Sequence, residues 1–200
     1  MGWKAHATSG KAAHRKSRYA LIVLEPHTIL ILIGLRGSGK SSIARLLAQR
    51  LHRTVADLDD RVSAMLKVQH AGDAICKYGE PAFRRSELGA LEVALRESGI
   101  VLALGGGTPT APGVEEMLNS ARRQGAAKVV YLRATETTLR TRLAVEANTH
   151  RPSLTGQGVL DEIGVLLNLR DTLYKTLADV VVQVDGMSID RVADEVIGRV

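Results

Sequence analysis

Four residues of this 200-residue chain have the types and spacing needed to hold a polyphosphate: Gly34, Gly39, Lys40 and Ser41 fit G-x-x-x-x-G-K-[ST] without a gap. Glycines let backbone N–H groups turn inward around phosphate oxygens. A lysine in that place reaches the β- and γ-phosphates, and the hydroxyl after it sits on Mg2+. Gly37, Ser38, Gly39, Lys40, Ser41 and Ser42 are therefore the candidate nucleotide-binding residues. Such a loop works only between a strand and a helix. Ile29 to Ile33 is an unbroken apolar run rich in β-branched residues, which reads as a buried parallel strand. After the loop, Ile43, Leu46, Leu47 and Leu51 fall at helical spacing. The N-terminus of that helix adds partial positive charge beside the phosphates.

Three further groups carry chemistry. Thr54 to Leu58 reads as a second strand and runs into Asp57-Leu58-Asp59-Asp60. In an open α/β sheet the carboxyl ends of strands face the ligand crevice. Two readings stand here. A continuing strand puts Asp57 and Asp59 on one side, to hold Mg2+ water or to accept bonds from a hydroxyl. Alternatively, Asp57 caps a helix whose first turn is acidic. The second group, Gly79-Glu80-Pro81-Ala82-Phe83-Arg84-Arg85-Ser86-Glu87, opens a helix running to about Ser98. Arg84 and Glu87 share a face of it, a spacing that by itself reads as an ordinary surface ion pair. The third is Gly105-Gly106-Gly107, at the end of a strand over Ile100 to Leu104. Successive glycines there imply a close backbone approach, to a ligand or to another segment.

The remaining elements supply a scaffold. A helix follows Ala111-Pro112-Gly113 and runs to about Arg123; a strand covers Lys128 to Leu132; a helix covers Thr135 to about Ala147 and carries Arg140 and Arg142. Asn148 to Gly158 is polar, contains Arg151-Pro152, and reads as a mobile lid. A helix from about Val159 to Leu177 carries Arg170 and Tyr174, and a strand over Val180 to Val184 and a helix from Ile189 to Val200 complete the chain. Residues 1–19 are small, polar and basic and read as a disordered tail; Ala20 to Leu24 reads as a short extra edge strand. Residues 20–200 thus make one α/β domain of ordinary size.

Composition narrows the partners. The net charge of +6 suits anionic ligands, but aromatic residues are only 3% of the chain, which argues against a base-stacking platform and against nucleic acid as a partner. No apolar run has membrane-spanning length, and no His/Cys cluster has zinc spacing. The single cysteine, Cys76, excludes an internal disulfide and suits a reducing cytoplasm. A monomer is expected, since no helix shows an obvious exposed apolar face.

Taken together, these pieces resemble the shikimate kinase family, from about His27 to Val200. The P-loop is common to many NTPases. The combination that carries the resemblance is Asp57-x-Asp59, Gly79-Glu80-x-x-Phe83-Arg84-x-x-Glu87, Gly105-Gly106-Gly107, Arg151-Pro152 and Arg170-x-x-x-Tyr174. The resemblance implies a three-layer P-loop fold of the nucleoside-monophosphate-kinase type, with a five-stranded parallel sheet flanked by helices and a mobile lid at about 148–158. It implies ATP and Mg2+ as cofactors and transfer of the γ-phosphate to the 3-hydroxyl of shikimate. By the same resemblance, Lys40, Asp59 and Arg151 are catalytic, Arg142 and Arg151 join the P-loop in holding ATP, and Ser41 and Asp57 hold the metal. Asp59 bonds the substrate hydroxyls, Arg84 and Arg170 grip the ring carboxylate with help from Gly105, Gly106 and Gly107, and Glu87 orients an arginine. A forked guanidinium suits a carboxylate because it binds both oxygens in one plane.

The chain departs from the family pattern in three places. Ser42 stands for the usual threonine, Ser153 for the leucine after Arg-Pro, and Gly72 to Gly79 is about one helical turn shorter. The family's aromatic wall comes from that shortened stretch, and Tyr78 or Cys76 is expected to replace it. Two rival functions remain: a binding module that keeps the fold without catalysis, and a kinase of another small polyol acid such as gluconate.

Overall fold

The structure, a computed structural model, describes residues 24–145 and 160–200. The expected tail over 1–19, the lid at about 148–158, Arg151 and most of the expected extra strand over 20–24 lie outside the described residues.

Five strands form one sheet: β1 (Ile29–Ile33), β2 (Thr54–Asp57), β3 (Ile100–Ala103), β4 (Ala127–Arg133) and β5 (Val180–Gln183), in the order β2-β3-β1-β4-β5. Every pairing is parallel. β1 is central, with Leu30 in register with Val101 on one side and Lys128 on the other. All of its residues are buried. A strand covered on both faces has no solvent side, which is why its sequence is continuously apolar instead of alternating. β2 is an edge strand and leaves Thr54 and Val55 exposed.

Helices cover both faces of the sheet. The helix α1 (Lys40–Leu51) packs on β1, β2 and β3 and against α8 (Ile189–Ile197), which touches β5. Between β2 and β3 lie α2 (Leu58–Met65), α3 (Ala71–Tyr78) and α4 (Glu80–Ala94), packed on one another. The helices α5 (Val114–Arg123) and α7 (Ile163–Leu177) lie against β4, and α6 (Glu136–Val145) packs on α7. Right-handed crossovers explain the layering. The step from β1 to β2 runs one way along the sheet and the step from β3 to β4 the other, so their helices land on opposite faces. The direction reverses between β1 and β3, and the crevice at their carboxyl ends is where such sheets bind ligands.

The structure decides the open question at Asp57. The strand stops there, and Asp57 caps α2 by accepting a hydrogen bond from the Asp59 N–H. The helical reading holds, so Asp59 belongs to a first turn and not to a continuing strand. The helix α4 ends at Ala94 and α7 begins at Ile163, each a few residues inside the expected limits.

Candidate active site

The P-loop joins β1 to α1, and its geometry follows from its residue types. Gly39 is the N-cap of α1 with φ 92°, a left-handed conformation that costs a glycine nothing. The Lys40 ammonium is buried and donates to the Gly34 carbonyl at 2.9 Å and the Leu35 carbonyl at 3.0 Å. Lys40 therefore also ties the loop together, a role beyond the phosphate contact expected from its motif. The Ser38 hydroxyl is fully buried and has no hydrogen-bond partner among the described residues. Arg142, on α6, donates to the Gly37 and Ser38 carbonyls at 3.3 Å and to Val184 O at 3.3 Å. It thus spans from the P-loop to the end of β5.

Next to this loop stand the carboxylates. The Ser41 hydroxyl donates to Asp57 Oδ2 at 2.7 Å. Hydroxyl and carboxylate are hard oxygen donors, the class that Mg2+ prefers. No group of three or more His, Cys, Asp or Glu able to hold a metal occurs among the described residues. A cation here would complete its shell with water and nucleotide phosphates, which is how Mg2+ is usually held in kinases. Gly37, Gly39, Lys40, Ser41, Ser42, Asp57 and Asp59 line one pocket together.

A second pocket adjoins the first, and the two share Arg36, Asp59, Gly105 and Gly106 in their walls. Arg84, Glu87, Gly107 and Arg170 line this second pocket. Every substrate-site residue expected from the sequence therefore meets here, from α2, α4, α7 and the loop after β3. Glu87 is 1% exposed. It accepts from Arg84 Nη1 at 2.6 Å and from the Thr108 hydroxyl at 2.5 Å. Burial pushes its carboxyl above the ordinary range, against the pull of Arg84 and Thr108. The surface-pair reading of Arg84 and Glu87 is thus overturned: the carboxylate is internal and fixes the guanidinium from below. Glu80 holds the same guanidinium from the rim, at 3.0 Å.

The three glycines earn their place by space, not by unusual backbone angles; Gly107, for example, has φ −98°. A Cβ on Gly105 would lie 2.5 Å from Asp59 Oδ1, and one on Gly107 would lie 2.7 Å from both terminal nitrogens of Arg84. A Cβ on Gly106 would lie 3.2 Å from the Arg36 N, so the two glycine loops nearly touch. The Gly106 carbonyl accepts from Arg170 Nη1 at 3.0 Å and from the Tyr174 hydroxyl.

The helix α7, which carries Arg170, is fastened to β4 by Asp171. Its carboxylate accepts from Tyr131 Oη at 2.9 Å, Arg133 Nε at 2.8 Å and Lys175 Nζ at 2.6 Å. Burial opposes the charge of Asp171, but hydrogen bonds from Arg133, Lys175 and Tyr131 outweigh it and hold the carboxyl far below the usual range.

The wall expected from Tyr78 or Cys76 is not built that way. Both are exposed, and the Tyr78 hydroxyl donates instead to Leu66 O. Ala71, Gly72 and Ile75 of α3 form that side of the pocket, with Phe83 of α4 beside them. Gly72 and Ile75 lie in the pocket wall, whereas Cys76 and Tyr78, in the last turn of this short helix, are left to solvent. The sequence reading also passes over Thr108, Arg36 and Glu162. Glu162 is 3% exposed and lines the second pocket. Thr108 follows the glycines directly, but nothing in its type announces a bond to Glu87.

Comparison with known proteins agrees with this geometry. The family model described as shikimate kinase matches residues 36–200. A shikimate kinase of Rhodopirellula baltica is 37% identical over 177 residues, covering 84% of this chain and 88% of that protein. One from Oleidesulfovibrio alaskensis is 37% identical over 154 residues, covering 76% of this chain and 86% of that protein. Among solved structures, shikimate kinase from Acinetobacter baumannii in complex with shikimate superposes with a TM-score of 0.77 at 26% identity, covering 86% of this chain and 92% of that one. Shikimate kinase from Aquifex aeolicus gives a TM-score of 0.69 at 27% identity, covering 84% and 94% of the two chains. A relative above 30% identity over most of both chains, a matching family model and a shared fold lead to one conclusion: the chain belongs to the shikimate kinase family.

Proposed function

We propose that the chain transfers the γ-phosphate of ATP to the 3-hydroxyl of shikimate, giving shikimate 3-phosphate and ADP on the route to chorismate and the aromatic amino acids. One observation carries this reading: Asp59 stands in the wall common to the phosphate pocket and the arginine-lined pocket. A hydroxyl held by Asp59 therefore has the nucleotide on one side and the rest of its own molecule on the other. Such placement is most of what phosphoryl transfer asks of a protein.

In this reading, Arg84 and Arg170 hold the substrate carboxylate, with Glu87 as the buried support of Arg84. Asp59 accepts a hydrogen bond from the attacking hydroxyl. The P-loop N–H groups and Lys40 hold the phosphates, and Arg142 borders the nucleotide beside Gly37 and Ser38. Ser41, supported by Asp57, would hold Mg2+, which would supply charge neutralisation to the phosphates. Arg151 adds positive charge from the segment that the resemblance identifies as a lid. The enzyme works as a cytoplasmic monomer. No helix among the described residues is long and apolar enough to cross a membrane.

The test is a coupled assay of ADP release with shikimate, gluconate and quinate in turn. Turnover with shikimate far above the other two supports the proposal. Preference for gluconate or quinate moves the chain to another small acid, and binding without turnover makes it a ligand-binding module.

A further inference from the structure

Tyr174 plays no part in the roles derived so far, yet its surroundings are unusual. The side chain is fully buried, and its ring meets that of Tyr131 edge to face at a centroid distance of 5.1 Å. Its hydroxyl donates to the Gly106 carbonyl, the same oxygen that takes Arg170 Nη1 at 3.0 Å. A carbonyl oxygen has two lone pairs, and here both have a donor. Burial pushes the phenol up to about 12, partly offset by Arg170, so it remains a hydrogen-bond donor at every working pH.

The peptide it holds is the one most in need of holding. Gly106 and Gly107 have no side chain to restrict the plane between them, and glycine keeps more backbone freedom than any other residue. Rotation of that plane would remove the acceptor on which Arg170 rests. It would also reorient the Gly107 N–H, which in a trans peptide points opposite to the Gly106 carbonyl. Gly107 in turn lies against the Arg84 guanidinium, closer than a Cβ would allow. One buried hydroxyl thus fixes the strip of backbone that touches both arginines. It can do so because Asp171, one turn earlier on α7, fastens that helix to β4 through Tyr131 and Arg133.

We propose that Tyr174 is a positioning residue for recognition of the substrate carboxylate: its hydroxyl locks the Gly106–Gly107 peptide and through it the orientation of Arg170. This rests on the reading of Arg84 and Arg170 as the carboxylate clamp.

The experiment compares Tyr174→Phe, Arg170→Lys and the control Tyr131→Phe with the unaltered chain. Each is assayed with shikimate and with shikimate methyl ester, which has the same ring and hydroxyls but no carboxylate charge. Both Phe variants keep their ring and its packing. Tyr174→Phe is expected to raise the KM for shikimate about five- to tenfold, the worth of one lost hydrogen bond. The KM for ATP should be unchanged, and the defect should vanish with the methyl ester. Tyr131→Phe should lower Tm comparably with little change in KM, because both Arg133 bonds to Asp171 still hold α7 on β4. An unchanged shikimate KM in Tyr174→Phe, beside a raised one in Arg170→Lys, overturns the proposal and leaves the clamp standing. An equal defect with acid and ester also overturns it, since the hydroxyl would then serve the pocket as a whole. If Arg170→Lys itself leaves shikimate use untouched, the clamp falls and this role falls with it.

Discussion

Gly107 lies against the guanidinium of Arg84 so closely that a methyl group on its Cα would come within 2.7 Å of both terminal nitrogens. Its backbone, at φ −98° and ψ −16°, has negative φ at the edge of the right-handed helical region and does not require glycine. Gly107→Ala therefore tests space alone. Arg84 must move, and a misplaced binding group costs about ten- to a hundredfold in efficiency. The expected result is that loss in kcat/KM for shikimate, with the KM for ATP and the circular dichroism spectrum unchanged.

The two arginines are interrogated more directly by Arg84→Lys and Arg170→Lys. Each variant keeps the charge and loses the planar fork. A charge-assisted bond lost in a partly buried site is worth about 1.5–3 kcal/mol, or roughly ten- to a hundredfold in shikimate kcat/KM. If the arginines served only Glu87 and the fold, Tm would drop while kinetics of the folded enzyme stayed normal. Measuring Tm and both Michaelis constants on the same preparations separates these outcomes.

Lys40→Ala should reduce turnover by about a hundredfold or more, because an electrostatic group aimed at the transferring phosphates is lost. The structure adds a second effect. The ammonium also bonds the Gly34 and Leu35 carbonyls, so the variant should melt somewhat earlier while keeping its secondary structure. Near-normal turnover in the folded variant would take Lys40 out of the mechanism.

Thr108→Val replaces the hydroxyl that Glu87 accepts at 2.5 Å with a methyl of similar size. A buried acceptor left short of a partner costs about 1–3 kcal/mol. For a chain of this size that is about 2–12 °C in Tm. Because Glu87 retains Arg84, activity should fall much less than in Arg84→Lys.

Asp171 gives a dependence on pH with a definite sign. Its carboxyl is held below the ordinary range in the folded state, so its contribution is fully present above the unfolded value of about 4 and is lost as pH falls through the folded value. Asp171→Asn should lower Tm by a constant amount from pH 8 down to about pH 5. The gap to the unaltered chain should narrow progressively below about pH 4. A gap that instead widens toward acid would contradict the assigned direction.

Much of this molecule is written locally in its sequence. The central strand, the phosphate loop and α1 are contiguous, and each follows from neighbouring residues: an apolar run, glycines at the turn, apolar residues at helical spacing. Local rules decide such pieces, since the backbone conformation depends on residues only a few positions apart. The glycine run after β3 was legible as a close approach for the same reason, though not what approached it. At Asp57 the local signal supported two structures equally, and the end of pairing between β2 and β3 decided for the helix. The rest depends on contacts between distant segments. Only folding brings Thr108 onto Glu87, Tyr174 onto Gly106 and Tyr131 onto Asp171, across 21, 68 and 40 residues of chain. Likewise, only the packing around α3 places Ile75 in the pocket wall and leaves Tyr78 exposed. Arginine, glutamate, threonine and tyrosine look alike in sequence whether they meet water or one another. Burial determines which of them must be paired, and burial is a property of the packed layers.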